Sequence, residues 1–162
     1  MSAVGYVVGE VRTDEFTFVT NSEITPPRLE YVVLRDVQER VGDDVRRMDV
    51  LAQVTGLSVS SRLLNTGMSY SEVEAILARL RSAPPIIIGT ATVLGYLDPH
   101  NIVRYPRGAA APGAEVHKAE DALLERFFSK VESGMKIGSL INRPQVGVDC
   151  DPNGLRRHLA VI

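Results

Sequence analysis

The chain has one cysteine, Cys150, and no tryptophan. A lone thiol excludes an internal disulfide. The start, Met1-Ser2-Ala3, has no basic segment running into an apolar stretch, so no secretory leader is read there. Together these features lead to the expectation of a reducing, cytoplasmic setting. No apolar run approaches the roughly 18 residues of a membrane-spanning helix. Neither sign of charge dominates: 18 basic and 20 acidic side chains give a net charge of −2. A domain dedicated to coating DNA would be clearly basic, because phosphate neutralisation drives that binding. Lysine is scarce as well; arginine supplies 15 of the 18 basic residues and suits bidentate ion pairs.

What is present suffices for one domain. The 162 residues are 44% hydrophobic and 23% charged. A fold of about 150 residues buries roughly 68–70% of its unfolded surface, so no covalent staple is needed.

The first half reads as short strands. Val4 to Val11 alternates Val4, Tyr6 and Val8 against Gly5, Val7, Gly9 and Val11. Strand glycines such as Gly5 and Gly9 mark a sharp bend or a close backbone approach, as in a small barrel. After a turn at Thr13-Asp14, the face Phe16, Phe18, Thr20 predicts a second strand. Residues 21–27 are polar with two prolines and form a loop. Leu29 to Arg35 predicts a third strand. The charge-dense stretch from Asp36 to Asp49 reads as an exposed hairpin tip or mobile loop, with Gly42-Asp43-Asp44 at its middle. Met48 to Val59 predicts a fourth strand, broken at Gly56.

Ser69 and Glu72 fit a capping box, and Tyr70, Val73, Ile76, Leu77 and Leu80 recur at helical spacing, so a helix is expected near 69–82 with that stripe buried. Pro84-Pro85 stops it. Ile86 to Leu97 reads as a buried, bent strand, followed by a turn at Asp98-Pro99-His100-Asn101 and a return over Ile102 to Tyr105. Arg107 to Gly113 is a small-residue connector, and Glu115 to His117 fits a short strand. A second helix is expected near 119–131, burying Leu123, Leu124, Phe127, Phe128 and Val131. Ile137 to Ile141 is a short segment, Val146 to Cys150 a strand and Asp151-Pro152-Asn153-Gly154 a turn. Leu155 to Ile162 opens a last apolar strand that stops abruptly, which leads to the expectation of a piece cut from a longer protein.

No catalytic constellation stands out. Gly134-Met135-Lys136-Ile137-Gly138-Ser139 has glycines and a lysine in the wrong order for a phosphate loop, and reads as a turn. Asp149 and Asp151 would oppose thiolate formation at Cys150, which favours a structural cysteine over a nucleophile. His100, His117 and His158 are far apart and read as surface or locally bonded residues, not metal ligands. Phe16, Phe18, Tyr31, Tyr70, Phe127 and Phe128 fall at core-patterned positions, which leaves Tyr6, Tyr96 and Tyr105 for any stacking platform. The loop from Ser60 to Met68 carries Leu63, Leu64 and Met68 without a period. Such residues either tuck onto the domain or face a partner, and they are the candidate docking site.

Three segments, Val4 to Val11, Tyr31 to Leu34 and Val54 to Leu57, resemble the small β-barrel at the start of HerA-type DNA translocases. The more specific likeness is the closing stretch from Val148 to Ile162, similar to the strand that in that family enters the ATPase core; Arg157 and His158 match it and would position that strand. The resemblance implies a mainly β fold (α+β by count). The fold it implies would be a small closed six-stranded barrel like the N-terminal barrels of ATP synthase subunits, spanning 1–150 with two helical excursions. Residues 151–162 would lead towards a core that is not in this sequence. No catalytic, cofactor or metal residue is then expected here; ATP and Mg would belong to the full-length protein. The resemblance further implies a hexamer, a NurA-type nuclease as partner, and double-stranded DNA threaded through the ring in end resection. The alternative read from the residues is a free-standing nucleic-acid-binding barrel. A small enzyme using Cys150 ranks behind both.

Overall fold

The computed structural model describes residues 2–79, 85–128 and 134–152. Along the chain it contains β1 (Gly5–Val8), β2 (Glu15–Thr20), β3 (Tyr31–Val41), β4 (Asp44–Ser60), α1 (Tyr70–Arg79), β5 (Ile86–Leu97), β6 (Val103–Arg104), β7 (Glu115–Lys118), α2 (Asp121–Phe128), β8 (Met135–Leu140) and β9 (Arg143–Cys150). Six strands pair antiparallel in the ring β2-β1-β7-β3-β4-β5, and β2 pairs with β5 to close it. Closure gives most strands a partner on both sides. β6 hangs from the end of β5, and β8 with β9 forms a separate hairpin. The expected six-stranded closed barrel with two helices is therefore what the chain forms.

Alternation along each strand fills the barrel. Val7, Phe16, Phe18, Val32, Leu34, Val54 and Val116 all point into one buried cluster. Two glycines make room for Phe18. A Cβ on Gly89 would sit 2.3 Å from Cζ of Phe18, and one on Gly5 would sit 2.5 Å from the carbonyl oxygen of Val19. The expected close approach thus holds at Gly5. Gly9 is different: nothing lies near it, and its φ of +71° serves the turn after β1.

A second core lies on the outside of the barrel. Tyr31, Val33 and Leu51 point outward and pack with Leu124 of α2 and with Leu140 and Val146 of the β8–β9 hairpin. That explains why Tyr31-Val32-Val33-Leu34 is apolar without alternation: both faces of β3 are covered. Tyr31 also meets Phe128 edge-on at 5.4 Å.

The structure corrects several sequence expectations. Of the two readings of the charged stretch from Asp36 to Asp49, the exposed hairpin tip holds and the mobile loop does not: β3 and β4 pair up to Val41↔Asp44 around a turn at Gly42-Asp43. Its outer positions face water, so polar side chains do not hinder pairing there. The third strand starts at Tyr31, because Leu29 has a φ of 69°. β4 runs through Gly56, which marks a register shift between Val54 and Gly56. Gly134 to Ser139 is not a turn, since Met135–Leu140 is strand β8. β9 begins at Arg143, earlier than expected.

The helices also differ in their packing. α2 buries Leu124 and half-buries Leu123, Phe127 and Phe128, as its pattern predicts. α1 buries nothing: Tyr70 is 84% exposed and Leu77 57% exposed. Its apolar stripe finds no core among the described residues. Leu80 and Val131 lie outside those residues.

Candidate docking site

β4 delivers the chain into the loop at one end of the barrel. Two side chains shape that loop. The Ser61 hydroxyl accepts the N–H groups of Leu63 and Leu64, at 3.2 and 3.3 Å. Asn65 Oδ1 accepts the N–H of Gly67 at 3.0 Å. At the entry of α1 the expected capping box is present. The Ser69 hydroxyl accepts the Glu72 N–H at 3.4 Å, and Glu72 Oε2 accepts the Ser69 N–H at 2.7 Å. That backbone bond, followed by the bond from the Ser69 hydroxyl, holds the Glu72 carboxyl below its ordinary pKa.

The turn at Ser61 sets Leu63 on the wall of an apolar groove of about 490 Å³, with Val19, Thr20, Pro85 and Ile86 around it. Leu63 is 45% exposed, while Leu64 and Met68 are half-buried and do not line the groove. Of the three candidate docking residues, the structure therefore brings Leu63 to an open apolar surface. Arg157 and His158 lie outside the described residues.

Arg143 is the hub between the barrel and its outer layer. It donates to Glu30 Oε1 at 3.1 Å, to the Asp121 carboxylate and to the Ala119 carbonyl at 3.2 Å. Lys118 meets the other oxygen of Glu30 at 3.4 Å. Gln145 donates to Asp121 at 2.7 Å; that bond first, and the Arg143 charge after it, lower the Asp121 pKa. Sequence reasoning missed this hub, because its members are 113 and 22 residues apart.

A cleft on the outer face, between β3 and α2, mixes Arg35, Lys118 and Arg126 with Asp49 and Glu120. Its cations are engaged: Arg35 with Glu120 at 3.7 Å, Lys118 with Glu30, and Arg126 with Asn101 Oδ1 at 2.7 Å. His117 is buried and bonds Glu115 at 3.0 Å, in keeping with the locally bonded reading. His100 is exposed in the β5–β6 turn. Cys150 is a free, half-buried thiol. No group of three or more possible metal ligands occurs among the described residues. Tyr70 is no core residue, Tyr6 and Tyr105 are exposed, and Tyr96 packs against the barrel core. No helix among the described residues is long and apolar enough to cross a membrane.

Fold and surface define a closed antiparallel β-barrel domain with an apolar groove at one end. Over 98% of its length the chain is 29% identical to the probable helicase MJ1565 of Methanocaldococcus jannaschii. Over the same share it is 28% identical to the DNA double-strand break repair helicase HerA of Pyrococcus furiosus. The chain spans 29% and 28% of the lengths of those two proteins. No protein-family model matches it. The two likenesses and the closed barrel are together consistent with the N-terminal barrel of a HerA-type helicase.

Proposed function

We propose that this chain is an assembly and partner-docking barrel of a HerA-type, ATP-dependent DNA translocase. In this reading the whole protein forms a hexameric ring on double-stranded DNA and acts with a NurA-type nuclease in end resection. The barrel itself turns over no nucleotide; ATP and Mg belong to a core outside this sequence. The observation that carries the reading is a closed six-strand barrel whose whole length is similar to part of two named helicases. A barrel with its edges paired is rigid, and rigid copies around a ring make a platform for a symmetric partner.

The test is a pair of measurements on purified 1–162. ATP hydrolysis should not exceed that of a boiled control, and light scattering should show a monomer or weak self-association. Turnover above the control would remove the docking-module reading, and a stable hexamer would place the ring contacts in the barrel.

A further inference from the structure

The two strands of the β8–β9 hairpin differ in how they are held. β9 is fixed to the barrel: Val146 is fully buried in the outer core with Leu124, and Val148 packs against that core. Arg143 ties the start of β9 to Glu30 and Asp121. β8 has no such cover. Residues Met135 to Ser139 are all exposed, and Leu140 alone of the strand is buried. β9 takes one edge of β8, and no strand among the described residues pairs with the other. Two of the exposed side chains are large and apolar: Met135 is 53% and Ile137 60% exposed. The strand's one charge, Lys136, stands opposite Asp149 in the ladder. An open strand edge with apolar side chains invites chance pairing unless something covers it.

The path of the chain points to the occupant. Met135 pairs with Cys150, the last residue of β9, so the chain leaves the hairpin beside the uncovered strand. This chain spans 29% and 28% of the two similar helicases, and most of each lies outside the match. We propose that β8 is the seat for the core that continues this polypeptide, with Met135 and Ile137 as its apolar contacts. The inference rests on the translocase reading above, in which the barrel is joined to such a core. A body tethered through the residues after Pro152 meets β8 at an effective concentration on the order of millimolar without any further contact. It also covers the edge continuously, whereas a partner that comes and goes leaves it open between encounters. Because β9 is fixed by Val146 and Arg143, the hairpin is a bracket that sets how the barrel stands on the core.

The test is peroxide oxidation of Met135, read by mass spectrometry in 1–162 and in the uninterrupted product of the source gene. Met48, half-buried against the barrel core, is the internal reference. Met135 should react about tenfold or more slowly in the longer protein, as for a seat closed about nine-tenths of the time, with Met48 unchanged. Ile137→Asp should return Met135 to its rate in 1–162. The same change in 1–162 should leave thermal melting close to the parent's, because the position is exposed. Equal Met135 rates in the two proteins overturn the inference, and a gene product that ends with this sequence gives that result. Protection lost on dilution, or unmoved by Ile137→Asp, overturns it as well, because a second copy or another contact would then cover the strand. ATP turnover by the longer protein reads the translocase assignment separately. Turnover with a reactive Met135 removes the seat and keeps that assignment; protection without turnover keeps the seat and removes the assignment.

Discussion

The guanidinium of Arg143 lies 3.1 Å from the carboxylate of Glu30, and both side chains are nearly buried, at 12% and 4% exposure. Glu30 immediately precedes β3 and accepts the N–H of Tyr31, while Arg143 opens β9. The pair therefore joins the barrel to the layer of α2 and β8–β9. Removing one partner of a buried ion pair leaves a stranded charge and costs about 3–5 kcal/mol. Arg143→Met should fall at the lower end of about 3–5 kcal/mol, because Lys118 still faces Glu30. Chemical denaturation checks this, and adding Glu30→Gln should restore part of the loss.

Phe18 and Gly89 predict a second, independent cost. A Cβ on Gly89 would enter the Phe18 ring, with three ring atoms inside 3 Å. Gly89→Ala should destabilise by about 1–3 kcal/mol through overpacking. Phe18→Leu alone should also destabilise, but the double variant should cost less than the sum. A denaturation cycle over the four proteins reads that coupling.

The barrel interior is where the sequence spoke most directly. Phe16 and Phe18 alternate with Glu15, Thr17 and Val19, and each inward position has one environment. Tyr70 misled, because helical periodicity states that a stripe exists and not that anything covers it. The charges from Asp36 to Asp49 left a hairpin tip and a mobile loop both open for a related reason: main-chain pairing does not need apolar side chains where the faces are wet. Glycines at 134 and 138 suggested a turn, although Gly134 precedes β8 and Gly138 pairs within it beside a register irregularity. Arg143 carried no local signal at all; it is one of 15 arginines, and its partners are brought to it only by the fold. For the groove, sequence pointed to the right loop, but the turn at Ser61 decides that Leu63 and not Met68 faces it.

The capping box of α1 should respond to acid. The Glu72 pKa is depressed by its bonds from Ser69. A depressed carboxyl contributes stability that is present above its unfolded pKa and lost as pH falls through the folded value. Amide protection factors in the first turn of α1, which take out the slower intrinsic exchange in acid, should thus fall as pH drops below the ordinary glutamate range, while the barrel amides stay protected, because α1 buries no residue. Glu72→Gln should show faster exchange at neutral pH and a flatter acid response.

Docking should depend on Leu63 more than on its neighbours. Leu63→Asp should weaken binding of a NurA-type nuclease by about tenfold or more, as expected for an apolar anchor in a pocket. Adding Leu64→Asp should contribute little further docking loss, since Leu64 does not line the groove. Calorimetric titration of the nuclease into each folded variant measures both effects.

The central claim is that this barrel docks a protein and does not hold DNA by itself. Its most direct test titrates labelled 1–162 with a NurA-type nuclease and, separately, with duplex DNA at low and high salt. The account predicts saturable nuclease binding and weak or no DNA binding at either salt. No nuclease binding, together with DNA affinity that falls steeply as salt rises, would contradict it and favour a nucleic-acid-binding barrel.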